Sequence, residues 1–151
     1  MKKIDADKAP VRVGTGYPPP YDAPCKRRRG VRLSDAAGLT QFGVNRMHLP
    51  PGEWSSQRHW HAGEDEFVYV LAGEVVLVTD AGEELFRAGA CAGFKAGEAD
   101  GHHFQNRSDQ EAVLLQVGSR NPGQFVGYSD IDLMIPEGAT GYTHKDGTAY
   151  E

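Results

Sequence analysis

His59 and His61 stand two residues apart, and Glu66 follows five positions after the second histidine. In an extended strand, residues i and i+2 project to the same side. The spacing therefore aims two imidazoles into one interior, with a carboxylate close behind, a donor set that suits a metal ion. Downstream, Gly97-Glu98-Ala99-Asp100-Gly101-His102-His103-Phe104-Gln105-Asn106 offers a further histidine. By strand period His102 shares a face with Phe104 and Asn106, whereas His103 faces the other way with Gln105.

Neighbours of this set are candidates for the remaining chemistry. Gln57 falls on the ligand side by period and could bond a substrate hydroxyl. Glu64 shares the side of Glu66 and reads either as surface charge or as a carboxylate that moves a proton beside the metal. Arg58 and Trp60 alternate with the histidines, so they point outward, toward a second sheet or a subunit contact.

The elements that must position these side chains are short strands. Gly43 to Leu49 alternates and stops at Pro50-Pro51-Gly52. Residues 57–61, 67–71, 75–79, 84–87, 91–95, 102–106 and 112–118 read as further strands, each closed by a glycine, aspartate or serine turn. Helical period is nearly absent. Regularly spaced strands and turns indicate a sandwich or barrel. Gly14-Thr15-Gly16-Tyr17-Pro18-Pro19-Pro20-Tyr21 fits extended chain running over a surface, because consecutive prolines remove ladder donors. The chain reads as one domain, 1–151, with a core at about 31–120, an N-terminal arm at 1–30 and a C-terminal extension at 121–151. In the extension, Ile131-Asp132-Leu133-Met134-Ile135 is expected to pack on the barrel exterior or on a neighbouring subunit.

Composition narrows the function classes. A 151-residue chain with 19 glycines and 9 prolines favours tight turns over long helices. A net charge of −5 argues against general nucleic-acid binding. No apolar run approaches the roughly 20 residues of a membrane span, and the opening Met1-Lys2-Lys3-Ile4-Asp5 lacks the apolar core of a signal peptide. With only Cys25 and Cys91, a reduced, cytoplasmic protein is the expectation.

Gly52, His59, His61, Glu66 and Gly73, followed by Gly89, Gly97, His102 and Asn106, match the two sequence motifs of the cupin superfamily. Lys95 departs from the usual proline, and the gap from Gly97 to His102 is longer than the common form. The resemblance implies an all-β double-stranded β-helix, the cupin jelly-roll barrel. It also implies that His59, His61, Glu66 and His102 hold one divalent transition metal such as Zn, Mn, Fe or Ni, with His103 the alternative to His102. Beyond the motifs, the phrase from Arg58 to Leu71 is similar to small bacterial cupins grouped with mannose-6-phosphate isomerase-like proteins.

That similarity implies a metal-dependent enzyme on a sugar or sugar phosphate, working on a small molecule as a homodimer, with Glu64 and Gln57 as candidate catalytic groups. A phosphate would need cations near the mouth, and Lys95, Arg107 and the basic run 26–29 are the ones in view. Two other readings fit the same donors: an iron-dependent dioxygenase of a small organic substrate, and a non-catalytic sugar or small-molecule binder.

Overall fold

The computed structural model describes residues 3–150. Met1 and Lys2, part of the segment read for a signal peptide, lie outside them, as does Glu151. Strands dominate: β1 (Val11–Val13), β2 (Arg29–Arg32), β3 (Phe42–Leu49), β4 (His59–His61), β5 (Glu66–Ala72), β6 (Glu74–Thr79), β7 (Gly82–Arg87), β8 (Cys91–Phe94), β9 (His103–Gln105), β10 (Ala112–Ser119), β11 (Val126–Tyr128) and β12 (Met134–Ile135). The one α-helix among the described residues, α1 (Leu33–Ala37), is a single turn closed by Gly38 in the left-handed conformation. Among the described residues no helix is long and apolar enough to cross a membrane.

The sequence period decides what each strand buries. In β5, Val68 and Val70 are 1% and 0% exposed, while Phe67, Tyr69 and Leu71 are 41%, 37% and 45% exposed. The fold follows the order β1-β2-β3-β10-β5-β8 in one antiparallel sheet, faced by β7-β6-β9 and β12-β11-β4. An isolated bridge between His59 and His102 joins the two smaller sheets into one wall. Met47, Leu49, Val68, Val70, Leu77 and Phe104 fill the space between the walls. Gly73 makes the β5–β6 turn at φ 74°, where a Cβ would stand 2.9 Å from the carbonyl oxygen of Glu111, so only glycine fits.

Strands expected at 43–49, 67–71, 75–79, 84–87, 91–95 and 112–118 form within two residues of those bounds. The flanking segments do more than expected. The arm contributes β1, two 3-10 turns (Ala6–Lys8 and Ala23–Cys25) and the start of β2, which extend the large sheet. The 131–135 segment does not rest on the barrel's outside. Leu133 is fully buried in a second core with Tyr17, Cys25, Val126 and Tyr128. Three aromatic rings from the arm and extension, Tyr17, Tyr128 and Tyr142, pack there against one another.

A candidate metal centre at the cavity wall

β4 sets His59 and His61 on one side, as its period requires, and β11 backs it through the pairs Val126–His61 and Tyr128–His59. His59 and His102 exchange both backbone hydrogen bonds across their bridge, at 3.2 and 2.9 Å, so their side chains leave the wall together. Glu66, the first residue of β5, comes from the opposite wall and pairs with Phe94 on β8. The Phe94 ring stacks on His102 with centroids 3.5 Å apart and planes within 4°.

The ligand atoms converge on one carboxylate oxygen. Glu66 Oε2 is 3.0 Å from His102 Nε2, 3.8 Å from His61 Nε2 and 3.9 Å from His59 Nε2. The His59 and His61 Nε2 atoms are 3.1 Å apart. His59, His61 and Glu66 each offer a ligand atom within 4.8 Å of the others. Ligands at roughly 2.0–2.2 Å from a transition metal lie about 3.0–3.5 Å from one another when adjacent. Two of the separations, 3.0 and 3.1 Å, fall in that range and two, 3.8 and 3.9 Å, lie just beyond it, so His59, His61 and Glu66 are compatible with one small cation, with His102 bonded to the same carboxylate but outside their mutually close group.

Hydrogen bonding favours the ligating form of His59, and burial keeps His59 and His61 neutral; His102 Nε2, by contrast, donates to Glu66 Oε2 and would have to give up that proton to ligate. A backbone carbonyl only accepts, so the 2.9 Å contact of His59 Nδ1 with the Gln57 oxygen puts the proton on Nδ1 and leaves the Nε2 lone pair facing the site. Burial pushes the His59 imidazole down to about 3, and it likewise holds His61 below its ordinary value. Burial pushes the Glu66 carboxyl up, but the hydrogen bond from His102 and the surrounding histidines win, and the group lies below the usual carboxylate range. Neutral imidazoles around an ionised carboxylate are the forms a cation requires. His102 Nδ1 is buried with no hydrogen-bond partner.

His61 has a partner for either tautomer. Gln124 accepts from the Gly63 N–H at 2.7 Å, which turns its amide nitrogen to His61 Nδ1 at 2.6 Å. Glu64 Oε2 lies 3.6 Å from the same Nδ1, and Glu64 Oε1 accepts from the Asn121 N–H at 2.7 Å. His103 turns away from the centre: its Nδ1 meets the Ser56 carbonyl and its Nε2 the Gln105 amide.

Gln57 also sits elsewhere than its period suggests, because regular strand begins only at His59. Its amide donates to the Tyr21 carbonyl at 2.7 Å, and its contribution to the centre is the backbone oxygen that orients His59. Arg58 does point outward, clamping Asp130 and Asp80. Trp60 covers Gly127 and packs on Phe125. After Lys95, the 95–98 turn is tied down by Gly97 N–H, which donates to the His61 carbonyl at 2.9 Å, and by Ala96 N–H, which donates to Asp65 at 2.8 Å.

A cavity of about 400 Å³ opens onto His59, His61, Glu64 and Glu66. Asn45 and Gln116, paired across β3 and β10, line its floor beside Met47. Their signal in the sequence was a polar residue at an inward position of an otherwise apolar alternation. A second cavity of similar size lies on the far side, against His102, Phe94 and Trp60, and also reaches His61 and Glu64. Gln124 gave no such signal, being 63 residues from His61 in a polar segment.

A family model described as a cupin domain matches residues 45–118. A crystal structure described as a sugar phosphate isomerase from a cupin superfamily, from Silicibacter pomeroyi, superposes with a TM-score of 0.92 at 44% identity, covering 99% of this chain and 97% of that one. A crystal structure from Acidithiobacillus ferrooxidans gives a TM-score of 0.73 at 26% identity, covering 83% and 81%. Protein SchB of Streptomyces halstedii is 32% identical, over 74% of this chain and 83% of its own.

Proposed function

This chain belongs to the cupin superfamily, and on that footing we propose that it is a metal-dependent enzyme acting on a sugar or sugar phosphate, isomerase-like in its chemistry. The observation that carries the reading is the meeting of His59, His61, His102 and Glu66 around one carboxylate oxygen at a cavity of about 400 Å³. The isomerase-named relative from Silicibacter pomeroyi, alike over nearly the whole chain, supports the substrate class.

His59, His61, Glu66 and His102 would hold the metal. A divalent ion there supplies a Lewis acid that polarises a carbonyl or hydroxyl oxygen. Glu64 lines the cavity beside the centre, and its Oε2, 3.6 Å from His61 Nδ1, would accept a proton from one carbon and return it to the neighbouring one. The N–H of Asn121 holds the other oxygen, which fixes the direction in which Oε2 points. Asn45 and Gln116 offer amides to substrate hydroxyls from the floor. The Gln57 carbonyl keeps His59 in the ligating tautomer. Phe94, flat against His102, keeps water off that imidazole.

The decisive experiment loads the protein in turn with Zn, Mn, Fe and Ni and follows a panel of aldose and ketose sugars and their phosphates by NMR. Interconversion of an aldose with its ketose is expected. Absence of any interconversion with every metal overturns the isomerase reading. Elemental analysis tests the centre itself: His61→Ala should lose its metal while keeping the far-UV spectrum of the folded barrel.

The proposal includes a homodimer. Phe67, Tyr69 and Leu71 stand in a row on the outer face of β5, each more than a third exposed, and burial against a second copy would remove that apolar surface from water. Light scattering at increasing concentration should report twice the chain mass.

A further inference from the structure

The cavity has a second chemical end. Gly30 and Arg32 of β2, with Arg28 just before the strand, line the cavity that opens onto His59, His61 and Glu66. Across the ladder, Arg12 of β1 lies directly opposite Gly30 and lines the same space. Gly30 is thus ringed by three arginines. A Cβ built on it meets no atom within 4 Å, so the middle of the ring is open.

The state of each guanidinium separates the three. Arg32 pairs with Asp35, its Nε 2.6 Å from a carboxylate that Arg120, also on the cavity lining, shares at 2.6 Å. Arg28 is oriented by one hydrogen bond, from Nε to the Gly14 carbonyl at 3.1 Å, and its other N–H groups meet no partner among the described residues. Arg12 folds over Gly16, where a Cβ would stand 3.1 Å from its Nη2. Among the described residues, neither Arg12 nor Arg28 pairs with a carboxylate. Other cations are committed or lie elsewhere: Lys26 pairs with Asp22, Arg27 with Glu53 and Arg107 with Glu83, and Lys95 lines the far cavity. Two guanidinium groups without a carboxylate partner on the wall of a cavity that also holds Glu64, Asp65 and Glu66 suit an anion at their own end of it.

We propose that Arg12 and Arg28 bind the phosphate monoester of the substrate over Gly30, with the sugar end reaching the His59–His61–Glu66 centre. The assignment rests on the sugar-phosphate reading and narrows it: the phosphorylated compound, not the free sugar, is the ligand. Guanidinium forks match phosphate oxygens in geometry and charge. The cavity's 400 Å³ accommodates a molecule of hexose phosphate size.

Titration calorimetry with inorganic phosphate tests the site without turnover. The wild-type protein and His61→Ala should bind phosphate alike, because the arginine end needs no metal. Arg12→Gln and Arg28→Gln should each weaken binding about tenfold or more, the worth of a charge-assisted hydrogen bond. Gly30→Leu, which keeps both arginines but fills the gap between them, should do the same while metal content and the thermal unfolding midpoint hold. Phosphate binding that is absent, or unchanged in all three variants, overturns the proposal. Tighter binding of succinate than of phosphate overturns the choice of phosphate over carboxylate. Phosphate binding without any aldose–ketose interconversion would instead remove the isomerase reading and leave the anion site standing.

Discussion

The amide nitrogen of Gln124 stands 2.6 Å from Nδ1 of His61, on the side of the imidazole away from the metal centre. When His61 Nε2 binds a cation, Nδ1 must carry the proton and needs an acceptor, and Glu64 Oε2 at 3.6 Å is the one in reach. Glu64→Gln should therefore weaken metal affinity about tenfold or more, the usual effect of losing a carboxylate behind a ligating histidine. Gln124→Ala, which removes a competing donor, should leave affinity unchanged or raise it. Competition against a chromophoric chelator measures both, and wild-type affinity in Glu64→Gln would remove that carboxylate from the metal's support.

Acid should destabilise the metal-free protein well above the carboxylate range. Burial holds His59 at about 3 and keeps His61 and His103 below their ordinary values. These groups stay neutral in the fold but take up protons near pH 6.5 once unfolded. The unfolded state then binds more protons, so stability falls as pH drops from about 6.5 toward 3. His59 alone accounts for about 2 kcal/mol at pH 5. Glu66, whose value is depressed, gives up its contribution only below about pH 4.5. The urea midpoint should drop between pH 7.5 and pH 5.0, and a flat profile over that window would contradict the buried neutral histidines.

Leu133→Ala should cost about 2–5 kcal/mol, the range for a fully buried leucine. Chemical denaturation checks it. A change under about 0.5 kcal/mol, typical of surface positions, would mean that the extension does not form a core with the arm.

The two thiols should differ in reactivity. Cys25 is buried, and burial pushes its thiol up to about 11, so alkylation should wait for unfolding. Cys91 is exposed and sits opposite Tyr69, on the same outer face as Phe67 and Leu71. Its alkylation rate should fall as protein concentration rises and a second copy covers that face. A rate independent of concentration across the range where light scattering reports dimer would place the subunit contact elsewhere.

The barrel and the shared side of His59 and His61 were legible because both depend on local period. His59 and His61 had to share a side, and Val68 and Val70 had to bury together. The alternation also turned His102 and His103 to opposite sides, and the structure sets His102 on Glu66 and His103 on Ser56 and Gln105. What the sequence hid was long-range. Nothing near Leu133 announces Tyr17 as its neighbour, nothing in 121–125 points to His61, and Arg12 gains meaning only from the register that sets it opposite Gly30. Gln57 followed its period on paper, yet the strand starts too late to hold it to that side.

The second core, in which Tyr17 and Cys25 of the arm meet Tyr128 and Leu133 of the extension, lies beside His59 on the same face of its strand, the Tyr128 ring 5.8 Å from the imidazole. Neither flanking segment can fray alone without exposing the other's buried side and the flank of His59. Amide protons across the arm, the extension and β4 should therefore exchange as one unit at the rate of global opening, so that ordering these segments and presenting the imidazoles of His59 and His61 would be a single cooperative event.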